Sequence, residues 1–258
     1  MNYWTDRINL AKKARTHFIN MEQFYKNEIN TCVENTVIYQ NTENCANMSI
    51  YNTNIIIEDS TSVDAIQKYT PLSIPNHKTC MLNFASYKNA GGKFLEGSSA
   101  QEESLCHNSI LYNVLLKIPH YYETNRKALN RALYLNRAAY TPNVIFPIDG
   151  HEWKADVITC AAPNKTAAQK YQKVTDEENY QALKSRIDFV LSIAATNHPE
   201  SLILGAYGCG VFGQDPLEVA SIFKELLCSK YRGVFPLVVF PIPDKSSVNY
   251  QSFNKVFQ

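Results

Sequence analysis

Residues 79–116 read TCMLNFASYKNAGGKFLEGSSAQEESLCHNSILYNVLL. The run Cys80-Met81-Leu82-Asn83-Phe84 is short and uncharged, the pattern of a strand covered on both faces. From Leu105 the apolar positions Leu105, Ile110, Leu111, Val114 and Leu115 recur at roughly helical spacing, which predicts one amphipathic helix. Between them lies Asn89-Ala-Gly91-Gly92-Lys93-Phe-Leu-Glu-Gly97, a loop at the carboxyl end of a strand and the amino end of a helix. Backbone N–H groups and the helix dipole at such a junction favour an anion, and a phosphate fits. The pair Glu102-Glu103 follows Ser98-Ser99-Ala100-Gln101. On local pattern it reads as a capping box, with Ser99 as N-cap and Glu102 three residues on.

A second glycine-bearing stretch runs from Ser201 to Ala220, SLILGAYGCGVFGQDPLEVA. Leu202–Leu204 read as a buried strand, Asp215 as an N-cap, Pro216 as the first helical residue and Glu218 as completing the box. Another apolar strand, Leu237–Phe240, follows, so strand, helix and strand form a βαβ unit with parallel strands. The glycine loop then lies at the carboxyl edge of the sheet. Gly208, Gly210 and Gly213 also satisfy the dinucleotide fingerprint, but that site wants an acidic residue about twenty positions on. Ser229-Lys230-Tyr231-Arg232 supplies none there. Two glycine loops at carboxyl strand ends make one crevice able to hold a pyrophosphate from two sides.

Around these loops the chain reads as α/β. Ile8, Ala11, Ala14, Phe18, Met21 and Tyr25 form one helical stripe near the amino end. Residues 26–52 are polar, with a short strand around Val37–Tyr39, and are expected to be either an ordered lid or a loose connection. Ile55–Ile57 read as a buried strand ending at Glu58–Ser62, from which a helix through Val63, Ala65 and Ile66 starts. Tyr121–Arg137 reads as a helical, solvated face. Asn143–Ile148 and Ala155–Cys160 read as strands joined by a hairpin over Asp149–Trp153, followed by the turn Ala161-Ala-Pro-Asn164. Thr175 and Glu178 cap a long helix with Tyr180, Leu183, Ile187, Leu191 and Ala194 inward.

Bulk properties exclude several classes. No stretch approaches the ~20 apolar residues of a membrane span, and the amino end lacks a signal-peptide core, so a cytoplasmic protein is expected. Seven cysteines without a Cys-x-x-Cys pair, and six histidines without a His-Glu-x-x-His pattern, predict reduced thiols and no metal. A formal charge of +1 with no Lys/Arg block predicts no direct nucleic-acid binding.

Asn89-x-Gly-Gly-x-Phe-Leu-x-Gly-x-x-Ala-Gln-Glu-Glu103 resembles the signature of the bacterial-type poly(ADP-ribose) glycohydrolases, in which a glycine triplet precedes Gln-Glu-Glu. Gln101, Glu102 and Glu103 match in full, and Lys93 stands where the third glycine is expected. Gly205-Ala-Tyr-Gly-Cys-Gly-Val-Phe-Gly213 resembles the diphosphate loop of the same family. The resemblance implies a macrodomain-like three-layer α/β/α sandwich with a mixed, mostly parallel sheet. Residues 1–52 would be an amino-terminal helical extension packed on the core, and 53–258 the macrodomain-like catalytic core, the two forming one structural unit. It implies a glycosidase of ADP-ribose polymers on modified proteins, needing no cofactor. Glu103 would be general acid and base, and Glu102 would hold ribose hydroxyls. Asn83, Gly91, Gly92, Gln101, Gly208, Cys209, Gly210, Val211 and Phe212 would line the substrate, with Val211 and Phe212 at the distal ribose and adenine near Glu58–Ser62. Cys209 reads equally as a small buried residue. A hydrolase of single ADP-ribose units and a non-catalytic reader, in which the two glutamates are only a cap, remain alternatives. Lys93 raises its own question, because a side chain there meets close backbone approach and a positive φ would strain it.

Overall fold

The computed structural model describes residues 3–42 and 50–258, with the side chains of Tyr3 and Trp4 outside the description. Part of the polar stretch 26–52, residues 43–49, therefore lies outside the described residues. Helices α1 (Tyr3–Phe24) and α2 (Lys26–Glu34) precede strands β1 (Val37–Tyr39) and β2 (Asn54–Glu58). Then come α3 (Ser62–Tyr69), β3 (Thr79–Phe84), α4 (Gln101–His107), α5 (Leu111–Leu116) and α6 (Pro119–Lys127). The hairpin β4 (Ala138–Ile148) and β5 (His151–Cys160) leads to α7 (Lys165–Gln172) and α8 (Asp176–Asn197). The chain closes with β6 (Ser201–Ile203), α9 (Pro216–Cys228), β7 (Leu237–Pro241) and α10 (Val248–Phe257).

The seven strands form one sheet in the order β1-β4-β5-β3-β6-β7-β2. Five of them, β5 to β2 in that order, run parallel, while β4 is antiparallel to both β5 and β1. Alternation along β3 sends Cys80 and Leu82 to one face and Met81 to the other. The first face packs against Leu183 and Ile187 of α8, Val219 and Phe223 of α9 and Phe253 of α10. The second packs against Ala14 of α1, Ile29 of α2, Leu105 of α4 and Leu111 of α5. Helices therefore cover a mixed, mostly parallel sheet on both sides, as the resemblance implies. The core runs along both faces of the central strand β3, which is why its uncharged run reads so clearly.

Several elements depart from the sequence expectations for identifiable reasons. The single helix expected from Leu105 to Leu115 is two helices. Ser109 Oγ donates back to the Leu105 carbonyl (2.7 Å) and accepts from Leu111 N–H (3.1 Å), while Ile110 N–H leaves the helix for the Ile145 carbonyl (3.1 Å). Residues 26–34 are the helix α2, whose Ile29 and Cys32 supply an inward face that the polar composition concealed. Ile55–Ile57 belong to an edge strand and are only half-buried, because β2 pairs with β7 alone. Tyr121–Arg137 is a solvated face only in part: Glu123, Thr124, Arg126 and Lys127 are exposed, while Tyr121, Tyr122, Asn125 and Arg137 are buried. The β4–β5 hairpin turns on two residues, Asp149 (φ 50°) and Gly150 (φ 76°), rather than five. Asp215 caps α9 by accepting from Leu217 and Glu218 N–H, but the Glu218 carboxylate does not complete the box. The boundary drawn at residues 52 and 53 falls between β1 and β2, which are strands of one sheet.

Candidate active site

Strands β2, β3, β5, β6 and β7 run parallel, so their carboxyl ends at Glu58, Phe84, Cys160, Ile203 and Pro241 share one edge. Both glycine loops leave this edge from adjacent strands, β3 and β6, and each ends at a helix, α4 or α9. The topology therefore brings the two loops together, as their spacing predicts. The Glu58–Ser62 junction lies on the same edge, with Glu58 beside Pro241 of β7. Thr61 there is a plain N-cap, exchanging hydrogen bonds with Asp64 in a capping box. Glu58 accepts from Lys68 and Tyr69, and Ser60 Oγ is buried without a partner.

Neither Glu102 nor Glu103 caps α4. The N-cap is Ala100, which offers no side-chain bond, and both carboxylates turn inward, 3% and 6% exposed. Glu102 Oε2 accepts from Ser86 N–H (2.7 Å), and its Oε1 faces Asn83 Nδ2 (3.4 Å). Glu103 Oε1 accepts from Lys93 N–H (2.9 Å). Among the described residues Glu103 Oε2 has no hydrogen-bond partner, so one oxygen of the pair is free for a ligand. Burial pushes the Glu102 carboxyl up to about 8, helped by the like charge of Glu103 and opposed by the Ser86 N–H.

Asn83 is completely buried at the end of β3, on the α4 side of the sheet. Its Nδ2 also lies 3.4 Å from Thr159 Oγ1, while its Oδ1 is buried with no partner, an acceptor left over for a ligand hydroxyl. Gln101 is fully engaged by the protein. Its Oε1 accepts from Phe84 N–H (2.9 Å), and its Nε2 donates to the Leu82 carbonyl (2.9 Å) and Ser62 Oγ (3.2 Å). It fastens α4 to β3 and α3.

Gly91 and Gly92 both adopt left-handed backbone, φ 61° and 59°. A Cβ on Gly92 would stand 2.6 Å from Glu103 Oε1 and 3.0 Å from Glu102 Oε2, so only glycine lets the loop lie against the carboxylates. Lys93 has φ −113°, so the lysine fits without backbone strain, and its side chain is exposed. The second loop is held from behind. Tyr207 is buried with its hydroxyl on the Cys160 carbonyl (3.1 Å), and Gln214 donates to the Pro163 carbonyl (2.8 Å) and pairs with the Asn179 amide. A Cβ on Gly208 would meet Ala162 at 2.8 Å, whereas one on Gly210 would meet nothing within 4 Å. Gly210 and the 85% exposed Val211 form the open rim of the loop. Cys209 is half-buried, with burial pushing its thiol up to about 12, which makes it an inert wall residue.

Phe212 is half-buried 6.2 Å from the Tyr134 ring, which stacks on Tyr87 at 4.1 Å. This aromatic wall was not legible in the sequence, because Tyr87 and Tyr134 are 47 positions apart and share no motif. Ser86 N–H escaped notice for another reason, since a backbone donor carries no residue signature. Among the described residues no group of three or more His, Cys, Asp or Glu is placed to hold a metal ion, and no helix is long and apolar enough to cross a membrane.

Residues 10–147 match the family described as microbial-type PARG, catalytic domain. The poly(ADP-ribose) glycohydrolase of Thermomonospora curvata bound to the inhibitor ADP-HPD is similar over 96% of this chain and 99% of its own, at 28% identity and TM-score 0.84. That of Deinococcus radiodurans in complex with ADP-ribose is similar over 89% and 97%, at 29% identity and TM-score 0.81. No curated protein sequence matches the chain. With its matched segment spanning more than half of the chain and both glycine loops on one sheet edge, the protein belongs to the microbial-type poly(ADP-ribose) glycohydrolase family.

Proposed function

We propose that the protein hydrolyses ribose–ribose O-glycosidic bonds of poly(ADP-ribose) on modified proteins, with Glu103 as the proton-transferring group. The observation that carries this reading is the buried glutamate pair, each member fixed by a backbone N–H, with one Glu103 oxygen left unpartnered. The D. radiodurans enzyme binds ADP-ribose in its solved structure, and the same ligand class suits the two-loop crevice here.

In this reading the pyrophosphate lies across the loops around Gly91–Gly92 and Gly208–Gly210. The distal ribose rests against Phe212 and Val211, and its hydroxyls meet Glu102 and the free Oδ1 of Asn83. Gln101 acts by positioning, since all its amide bonds go to the protein. Glu103 gives its proton to the glycosidic oxygen as the bond to the anomeric carbon breaks, and the ring becomes oxocarbenium-like. The resulting carboxylate then takes a proton from the water that attacks that carbon, which restores the acid. Glu102, neutral by virtue of its dry setting, donates to a ribose hydroxyl without placing a second full charge in the pocket.

The decisive assay is release of free ADP-ribose from poly(ADP-ribose), run beside a mono-ADP-ribosylated protein. Release from the polymer is expected. Release from the mono-modified protein alone would replace this reading with the mono-ADP-ribosyl hydrolase. Release from neither, with ADP-ribose bound, would leave a reader module.

A further inference from the structure

A surface cavity of about 460 Å³ is lined in part by Tyr134, the ring that neighbours Phe212. Arg137, Arg186, Asn130, Asn136, Thr124 and Ser185 contribute to its lining. Both arginines are more than nine-tenths buried. Arg186 spends its guanidinium on the Asn136 side chain (2.8 Å), the Leu133 carbonyl (3.3 Å) and the Ala161 carbonyl. Arg137 uses only Nε, which donates to Asn125 Oδ1 at 2.9 Å, and its guanidinium sits 5.9 Å from the Tyr121 ring. Its two terminal nitrogens make no hydrogen bond among the described residues, and neither arginine forms an ion pair with a described carboxylate.

Arg186 is satisfied by neutral oxygens, whereas the terminal nitrogens of Arg137 have no partner among the described residues and are open to solvent, so that its charge is left to attract an anion. A guanidinium fork with both terminal nitrogens free matches the paired oxygens of a phosphate. Asn130 and Asn136 are held in place by the Tyr134 carbonyl (3.0 Å) and Ser185 Oγ (2.9 Å), and the hydroxyls of Thr124 and Ser185 and the open cavity supply further donors and room. We propose that this cavity is a second anion site, separate from the two-loop crevice, that takes a phosphate group through Arg137. The phosphate has two sources. It is free inorganic phosphate or, on the reading of the protein as a polymer hydrolase, a pyrophosphate of the neighbouring unit as the chain passes the Tyr134–Phe212 wall.

The test is thermal unfolding with saturating ADP-ribose, so that the crevice is occupied, while phosphate is titrated against chloride at matched ionic strength. Phosphate is expected to raise the wild-type melting temperature by a few degrees. The gain should vanish in Arg137→Gln. It should also vanish in Thr124→Asp, which puts a carboxylate on the exposed rim and is chosen in case the first variant does not fold. Phosphate no better than chloride, or a gain undiminished in Thr124→Asp, overturns the site. The source is separated in a Glu103→Gln background by comparing binding of ADP-ribose and of a short ADP-ribose oligomer. If the polymer is the source, adding Thr124→Asp weakens the oligomer about tenfold and spares the monomer. Unchanged oligomer affinity beside a positive phosphate titration assigns the site to free phosphate, and that result leaves the glycohydrolase reading untouched.

Discussion

Glu102 is a carboxyl whose surroundings favour the neutral form, and its shift makes a statement about stability. The folded value, about 8, lies above the unfolded value of 4.5, so the group's contribution is complete below pH 4.5 and is lost as pH rises towards 8. Glu102→Gln removes that loss. The melting temperature of the variant relative to wild type should therefore climb between pH 5 and pH 8 and level off above, measured by thermal unfolding in matched buffers. A flat difference across that range would place Glu102 in a wetter or better compensated setting. Asn83 offers a companion case. Its buried, unpartnered Oδ1 is an acceptor open to a ligand hydroxyl, so Asn83→Ala should weaken ADP-ribose binding by about tenfold, read by calorimetry.

The two glycine loops are alike in sequence and unlike in physics. Gly92 combines left-handed backbone with a Cβ position 2.6 Å from Glu103 Oε1. Gly92→Ala should cost stability on the order of 1–3 kcal/mol in denaturant unfolding and displace the carboxylates, lowering turnover of the polymer at least a hundredfold. Gly210 has open space around its Cβ position and a φ outside the left-handed range. Gly210→Ala should leave the ligand-free protein within about 0.5 kcal/mol of wild type and still weaken ADP-ribose, because the added methyl stands on the open rim. Equal stability loss in both variants would contradict this division of roles. The contrast also marks how far sequence reading reaches at this scale. Strands β3, β6 and β7 and the helices α8 and α9 were legible because apolar runs and capping residues are local signals. The break between α4 and α5 was not, because it depends on Ser109 turning back to Leu105 and on Ile110 finding Ile145 in a distant strand. The half-burial of β2 was equally hidden, since only the strand order shows that it lies at an edge.

Across the whole molecule, the amino-terminal helix is fastened to the first glycine loop. Arg7 Nε donates to the Glu96 carbonyl (3.0 Å), and a Cβ on Gly97 (φ 76°) would stand 2.0 Å from the Arg7 carbonyl oxygen. Gly97→Ala should therefore push α1 off the turn at Phe94–Glu96, lower the melting temperature and expose α1 to limited proteolysis. Unchanged protease resistance would show that α1 docks independently of the loop. This long-range fastening ties residues 1–52 to the rest of the molecule. Their contacts with the core are made across some ninety positions and leave no local trace, and β1 reaches the sheet only by pairing with β4. The candidate site was legible where motifs carry it, at Gln101–Glu103 and the glycines. Its backbone donors, Ser86 and Lys93, and its wall, Tyr87 and Tyr134, appear only once the sheet edge is assembled.

The central claim is that Glu103 moves the proton while the crevice around it binds ADP-ribose without that group's help. The most direct measurement is a pair on one variant, Glu103→Gln, in which ADP-ribose affinity and release of ADP-ribose from poly(ADP-ribose) are determined together. The account predicts affinity within a few-fold of wild type and release lowered by a factor on the order of 10²–10⁴ or more, because an amide cannot give up or regain the proton. Release near the wild-type rate in a variant that still binds would contradict it.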